Sequence, residues 1–492
     1  MRRLAAVVGG LVALAGGAVV VNETLLAGCG ASLCPGDSLN AAYQAAPIGV
    51  QTIFTLGAGE YGDQTIVNAP GKETAGVGPH VIFEPASGAV ITAGALRLGS
   101  NVESNDGPDH LTARGFKLRG QLFVGGNDAN DIVVEDISSP GFYFNGAQNL
   151  TSLNGNYGPA QAPGVPNSKV DGNPANANIK ILGGAIHDYT FGPSCFPTGS
   201  FDCHGEGLFV SAAGPGFVID GVRFWGNEIY NVFMQPGPGA APNGCLIQNN
   251  WFGRTQNSDG AKRGTSLTWG TSNPPSGCLI RFNSFAPGER MDDEVGASFT
   301  NTRILGNRFG SSASCLSGMV FSYNVWTSGT CSATDRAEAT FNYVNSSDGA
   351  AGDYHLTGGV AVGLVTATSA DASLAGDFDG QARSAPRDAG SDEMGAVDPP
   401  PPTTEPPPTT TEPPPACPGS TLTLTVLAQT TSTITLGWTP PVNATGYRFS
   451  RSDQAKRTHT WDPSRSSVKF GKGAECYLVE ALEVGASGGY GG

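Results

Sequence analysis

The stretch "CLIQNNWFG", Cys245–Gly253, begins as a buried strand, breaks into two asparagines and ends on an aromatic pair. Thirty-three residues later the chain repeats the phrase as "CLIRFNSFA", Cys278–Ala286. Aligned on the isoleucine, both place an apolar residue at i, Asn at i+3 and Phe at i+5. Working outward, the apolar pair recurs at Leu111/Phe116, Ile132/Ile137, Ile181/Ile186, Ile219/Phe224, Ile304/Phe309 and Phe321/Trp326. Successive starts lie 21, 49, 38, 28, 33, 24 and 17 residues apart, and the longest gap leaves room for one unmatched coil. Such a period marks a solenoid, in which each unit is too small to hide its own apolar face and stacks on the next. The predicted fold is therefore all-β, a parallel β-helix with the i and i+5 side chains lining its core. Asn250, Asn283, Asn307 and Asn324 fall where the strand must bend, so we expect them to take left-handed backbone angles and to stack their amides in a ladder.

Composition narrows the class. The 71 glycines in 492 residues are about twice the usual ~7% share. They follow no Gly-X-Y period, which excludes collagen and leaves a turn-dense, strand-rich chain. With 27 basic against 42 acidic residues the formal charge is -15. That charge repels phosphate backbones and anionic lipid surfaces, so no nucleic-acid partner is expected. From Arg254 to Arg308 the balance reverses, seven Lys/Arg against five Asp/Glu, which suits an acidic polymer.

Residues 1–28 open with two arginines and an apolar run from Leu4 to Val21. This is the layout of an export signal; retained, it is a membrane anchor and the chain's one expected membrane contact. The ten cysteines follow in five neighbouring couples: Cys29/Cys34, Cys195/Cys203, Cys245/Cys278, Cys315/Cys331 and Cys417/Cys476. An even count in an exported chain reads as disulfides. A lipid-modified Cys29 in "LAGC" is the alternative for the first of them.

Other phrases carry a family likeness. They are "CPGDSLNAAYQAA" and "FTLGAGEYGDQTIV" between Cys34 and Val67, "GAIHDYT" at Gly184–Thr190, "HGEGLFV" and "GVRFWGNEIYNVFMQ" between His204 and Gln235, "GDYHLTGG" at Gly352–Gly359, and "DFDGQAR…DEMGA" at Asp377–Ala396. With the coils above, they resemble the secreted bacterial right-handed parallel β-helix proteins of the pectate-lyase-like superfamily. The resemblance covers roughly residues 30 to 397. It implies export, a right-handed coil, an association with polysaccharides, and a disulfide between Cys29 and the Cys34 of the entry segment.

The β-helix domain is expected over 29–397. Residues 398–416 carry "PPPPTTEPPPTTTEPPPA", ten prolines in eighteen residues, an extended linker of ~55 Å at ~3.1 Å per residue. Residues 417–492 alternate like a small β-sandwich and resemble a fibronectin type III module, with Trp438 as core tryptophan and Tyr477 as late-strand tyrosine.

Side chains flanking an inward position point outward. At i+4 the coils give Arg223, Trp251, Ser284 and Arg308, a column in which an indole stacks on sugar faces and guanidiniums pair with hydroxyls or carboxylates. The polar excursion "GRTQNSDGAKRGT", Gly253–Thr265, offers Arg254, Lys262 and Arg263. A lyase of uronate polymers needs such cations to neutralise a carboxylate beside the proton it removes. A glycoside hydrolase would instead need paired carboxyls, for which Glu206, Glu228, Asp292, Asp293 and Glu294 are candidates. The acidic triplet also suggests calcium, although it lacks an ordered ligand pattern. His187 and His204 are read as structural, and Asp377 and Asp379 as turn residues. No P-loop, GxSxG, HExxH or dinucleotide motif supplies a cofactor or nucleophile. Two functions stand beside each other: a polysaccharide lyase working along the outer wall, and a noncatalytic glycan-binding or adhesive surface protein.

Overall fold

The computed structural model describes residues 31–394 apart from 74–75, 102–103, 163–166, 172–176, 193–204, 238, 257–263, 272–273, 348 and 384. It also describes Cys29, a strand at Val19–Val21 and six strands between 425 and 483. Cys195, Cys203, His204, Lys262, Arg263, Cys417, Trp438, Cys476 and the proline-rich linker lie outside the described residues, as does the side chain of Tyr477. The chain divides into two compact units, Met1–Asp398 and Pro399–Gly492.

The first unit is a parallel β-helix. One coil shows the plan: Val218–Asp220 lies in the first sheet, Arg223–Trp225 in the second and Val232–Met234 in the third. The first sheet stacks twelve strands, ending at Met319–Ser322, and the second and third stack nine each. Their pairings are parallel, so neighbouring coils repeat at the ~4.8 Å spacing of hydrogen-bonded strands. In the second unit the described strands form two three-stranded antiparallel sheets.

The template residues meet as expected. Ile181, Ile219, Ile247, Ile280, Ile304 and Phe321 are successive register partners. The i+5 rings of Phe224, Phe252, Phe285, Phe309 and Trp326 stack with centroids 5.2, 4.7, 4.8 and 4.0 Å apart. The 49-residue gap holds one further coil, whose inward pair is Ser152 and Tyr157, buried and hydrogen-bonded at 2.7 Å. The register also steps there, since Ile132 pairs with Leu150 but Ile181 pairs with Ser152. An apolar template passes over a coil that fills its core with two mutually satisfied hydroxyls.

The asparagine ladder is present, with one correction. Asn250, Asn283, Asn307 and Asn324 are fully buried. Each Nδ2 donates to the next side-chain oxygen, at 2.9, 2.9 and 3.1 Å, and Asn324 donates to Asp335 at 3.3 Å. The same oxygens accept the backbone N–H groups of Asn250, Asn283, Asn307 and Asn324 at 3.0 Å. The left-handed residue is not the ladder Asn but the one before it: Asn249, Phe282, Gly306 and Tyr323 have φ of 54°, 52°, 62° and 57°. A Cβ at Gly306 would lie 3.0 Å from Phe282 and 3.1 Å from Val365. Close packing therefore adds to the conformational reason for glycine there.

Helix Leu39–Ala45, started by Ser38 accepting from the Ala41 N–H, buries Leu39 and Tyr43 against the N-terminal end of the column. Disulfides join Cys29–Cys34, Cys245–Cys278 and Cys315–Cys331, with Cα separations of 5.8, 4.4 and 5.4 Å. No described helix is long and apolar enough to cross a membrane.

Replacing Asn283 by Ala leaves the Asn250 N–H without its acceptor and takes from the Asn250 Nδ2 one of its two acceptors and from the Asn307 oxygen one of its two donors, the backbone N–H at 283 remaining. At ~1–3 kcal/mol for an unsatisfied buried group, with the other lost hydrogen bonds added, we expect the denaturant midpoint of the first unit to fall by an amount worth roughly 2–5 kcal/mol. An unchanged midpoint in urea melts would show that the ladder contributes nothing.

Candidate functional site

The second sheet brings the predicted outward column together. Arg223 is the register partner of Trp251, Trp251 of Ser284, and Ser284 bridges to Arg308. It is not an open wall. After the last coil the chain turns back as a hairpin, Tyr343–Asn345 with Asp353–Leu356, and then as turns to Met394 that pack on this column. Phe378 stacks on Trp251 at 4.2 Å, Tyr354 leans on it at 5.6 Å and His355 meets it edge-on at 5.1 Å. Trp251 is left 5% exposed and Arg308 1%.

Ser391 bonds to Ser284, and Arg308 donates to the carbonyls of Phe309, Glu338 and Thr340 while lying over the Phe341 ring. Arg223 lies between Trp225 and Trp251, 5.5 and 4.9 Å from their centroids, and donates to the carbonyls of Ala350 and Gly352. The expectation of a solvent-facing sugar platform at Trp251 and Arg308 is therefore corrected. The same aromatic and cationic residues hold the chain's own C-terminal cover. Ring contacts on Trp251 and carbonyls of the cover on Arg223 and Arg308 occupy these side chains without a ligand.

The cover also carries charge. His355 bonds to Asp353 through Nδ1 and to Asp379 through Nε2. Burial alone would lower its pKa, but the hydrogen bonds and charges of Asp379 and Asp353 outweigh it and hold it at about 9. Asp377 accepts the N–H groups of Asp379 and Gln381, the turn role expected of it. His187 is held between Asp188 and Asn156 and stacks on Trp225 at 4.3 Å, a structural placement.

Of the proposed lyase cations, Arg254 is exposed and donates to the Pro287 carbonyl at 3.0 Å. Asp292 accepts from Nε and Nη2 of Arg290, and Asp293 accepts from the Val295 N–H. Asp292 and Asp293 thus serve neighbouring residues of their own segment, and Glu294 is exposed beyond them. The two described clusters of metal-ligating groups, His80/His110/Asp131 and His355/Asp379/Asp392, both contain histidine, a donor calcium does not favour. Glu206 and Glu228 are buried just before neighbouring third-sheet strands, Glu206 accepting from Asn167 at 3.3 Å. Glu289, missed in the sequence, directly precedes strand Arg290–Asp293, two strands further along the third sheet; burial pushes its carboxyl up to about 7 against hydrogen bonds from Ser266 and Thr255.

The third sheet presents a column that the template did not reach. Arg97, Phe123, Tyr143, Lys169, Phe209, Phe233, Thr268 and Asp292 are successive register partners. They alternate with inward residues such as Leu122, Val124, Leu208 and Val210, all fully buried. Lys169 lies 5.6 Å from the Tyr143 ring and 5.3 Å from that of Phe209, with Phe209 stacked on Phe233 at 5.5 Å. Asp171 accepts from Tyr143 at 3.0 Å, from Ser211 and from Lys169. Its burial would raise its pKa, but Lys169 and Ser211 hold it below the usual carboxylate range, and burial beside Asp171 pushes the Tyr143 phenol up to about 12. The signal was legible as "QLFV", "GFYF", "GLFV" and "NVFM", each with an aromatic between two apolar residues. Variable loops before these strands break their spacing from the isoleucines.

Compared with protein-family models, curated proteins and solved structures, the chain matches none of them. What it offers chemically is read from its own geometry.

Two outcomes follow for the cover. Trp251→Ala should cost ~3–5 kcal/mol, as for other buried aromatic truncations, whereas Trp251→Phe should cost much less, because the indole N–H has no hydrogen-bond partner. Thermal melts of both variants decide this. His355 is raised from 6.5 to about 9, so its stabilisation is complete below pH 6.5 and is lost as pH rises through 9. Hydrogen exchange in residues 353–379 should quicken across that window in the parent chain and show no such step in His355→Gln.

Proposed function

We propose that the first unit is an exported, noncatalytic glycan-binding β-helix, right-handed and related in architecture to the pectate-lyase-like proteins. The second unit is read as a fibronectin type III-like module set apart by the proline-rich linker. Disulfides support an oxidising, extracellular setting and agree with the export reading of residues 1–28.

The observation that carries the proposal is the third-sheet column. Tyr143, Lys169 and Asp171 supply a phenol, an ammonium and a carboxylate among aromatic side chains, with Lys169 and Asp171 side chains 31% and 20% exposed. Phe123, Phe209 and Phe233 are buried at 4%, 8% and 7% exposure and back the column, so the ring it offers is that of Tyr143; a ring beside fixed donors and acceptors suits a sugar's apolar face and hydroxyl rim. Sheet positions hold such groups more rigidly than a loop does. The covered second-sheet column argues against the wall first nominated, and the exposed Arg254 keeps a lyase as the competing reading.

One experiment separates them. The secreted full chain is run in affinity gels containing uronate and neutral polysaccharides, and each glycan is then assayed for unsaturated products and new reducing ends. We expect retention by at least one glycan, no new ends, and at least tenfold weaker retention for Tyr143→Ala and Lys169→Ala. Arg336→Ala, exposed on the second sheet, should bind as the parent does. Unsaturated products that vanish in Arg254→Ala would replace this reading by the lyase, and retention indifferent to Tyr143 and Lys169 would remove the third sheet from either.

A further inference from the structure

A separate cluster lies at the corner where the chain enters the first sheet. His80 directly precedes strand Val81–Pro85, His110 is the second residue of Asp109–Arg114, and Asp131 is the second of Asn130–Glu135. The three strands are consecutive neighbours in the first sheet, so three coils deliver one side chain each to one place. His80 Nε2 stands 3.0 Å from Asp131 Oδ2 and His110 Nδ1 stands 2.7 Å from it. One ligand atom from each residue lies within 4.8 Å of the others, and the side chains are only 16%, 10% and 9% exposed. We infer that His80, His110 and Asp131 form a binding site for a divalent first-row transition-metal ion.

The spacing fits. Donors held ~2.0–2.2 Å from one ion stand about 3 Å apart when at right angles, close to the separations from Asp131 to each histidine. The donor set, two imidazoles and one carboxylate, selects such ions over calcium or magnesium, which take oxygen. The outer support is present as well. Thr112 Oγ1 lies 2.7 Å from His80 Nδ1 and can accept a hydrogen bond from Nδ1–H in the tautomer whose unprotonated Nε2 would face the ion. The Gly78 N–H donates to Asp131 at 2.9 Å and fixes that carboxylate.

Backbone geometry alone does not call for these residues. His110 and Asp131 have φ of 51° and 57°, and the same corner in later coils has Asn149 and Asn178 at 50° and 56°. Asparagine thus meets the conformational demand without a ligating imidazole or carboxylate, and amides pass the corner on by Asn178 donating to Asn149 and Asn149 to Asn130. Only in the coils beside His80 does the chemistry change. The cluster is not sealed: its side chains keep 9–16% exposure, and His110 borders a cleft of about 390 Å³, open mouth included, with Lys72, Pro79, Val81 and Asp109.

The test uses the untagged full chain, freed of metal by chelator and titrated calorimetrically with zinc, then with cobalt to record its visible spectrum. We expect zinc binding with a cobalt spectrum of nitrogen and oxygen ligation. Affinity should fall at least tenfold in His110→Asn and in Asp131→Asn, which keep a residue suited to the backbone angle, and should be unchanged in His355→Gln, which alters the other histidine cluster. Absence of zinc binding to the parent chain, or binding that survives both variants, would overturn the site. Should a variant fail to fold, the parent chain decides alone. Zinc should shield His80 and His110 from diethylpyrocarbonate in peptide mapping, and modification at the same rate with and without zinc refutes the proposal.

Discussion

The structure depends on one constraint: a coil that turns sharply inside a buried stack must pair its corner backbone groups without water. Strand ladders pair the flat parts only. At the corner between the first and second sheets the pairing is done by asparagine, the side chain that carries both amide functions. Asn283 shows the full set: its Nδ2 reaches the Ile247 carbonyl and the Asn307 oxygen, while its own oxygen takes the Asn250 N–H. Leaving such groups unpaired costs more than any single apolar contact returns. The next corner is solved differently but on the same terms. There Asn227, Asn231, Ser266 and Glu289 form a buried chain at 2.9, 3.0 and 2.7 Å.

This constraint explains what could be read in the sequence. The isoleucine, asparagine and phenylalanine of Cys245–Gly253 recur because each occupies a position repeated physically in every coil, and repetition in space leaves repetition in the chain. The architecture, the ladder and the outward column through Arg223 and Trp251 followed from that alone. The backbone angles did not. A left-handed residue was expected to be the asparagine, but the strain falls one position earlier, even on Phe282, whose ring is then buried against Arg383 at 4.6 Å. Packing outweighed local preference there.

What stayed illegible was long-range or irregular. That Arg308 faces Phe341, 33 residues on, or that Ser284 meets Ser391, 107 residues on, depends on a segment folding back over the coils, and no period announces such a return. The aromatic column of the third sheet was written plainly in four short phrases, yet unequal loops hid its phase. The coil built on Ser152 and Tyr157 escaped because its core pair is polar. The His80, His110 and Asp131 cluster comes from three coils whose corner residues differ in type, so nothing about any one of them stood out.

Asp335 ends the ladder, accepting from Asn324, Trp326, Cys331 and Ser332. Its side chain has no N–H to pass onward as an amide does, and both its oxygens are taken by donors, so the ladder ends on it. Any lengthening of this solenoid by tandem duplication must therefore splice its extra unit upstream of Asp335, among the asparagine-bearing turns, where the incoming amide both gives and receives. A unit spliced downstream would meet a neighbour unable to donate, and the directional chain of protons would stop one layer short of the new end.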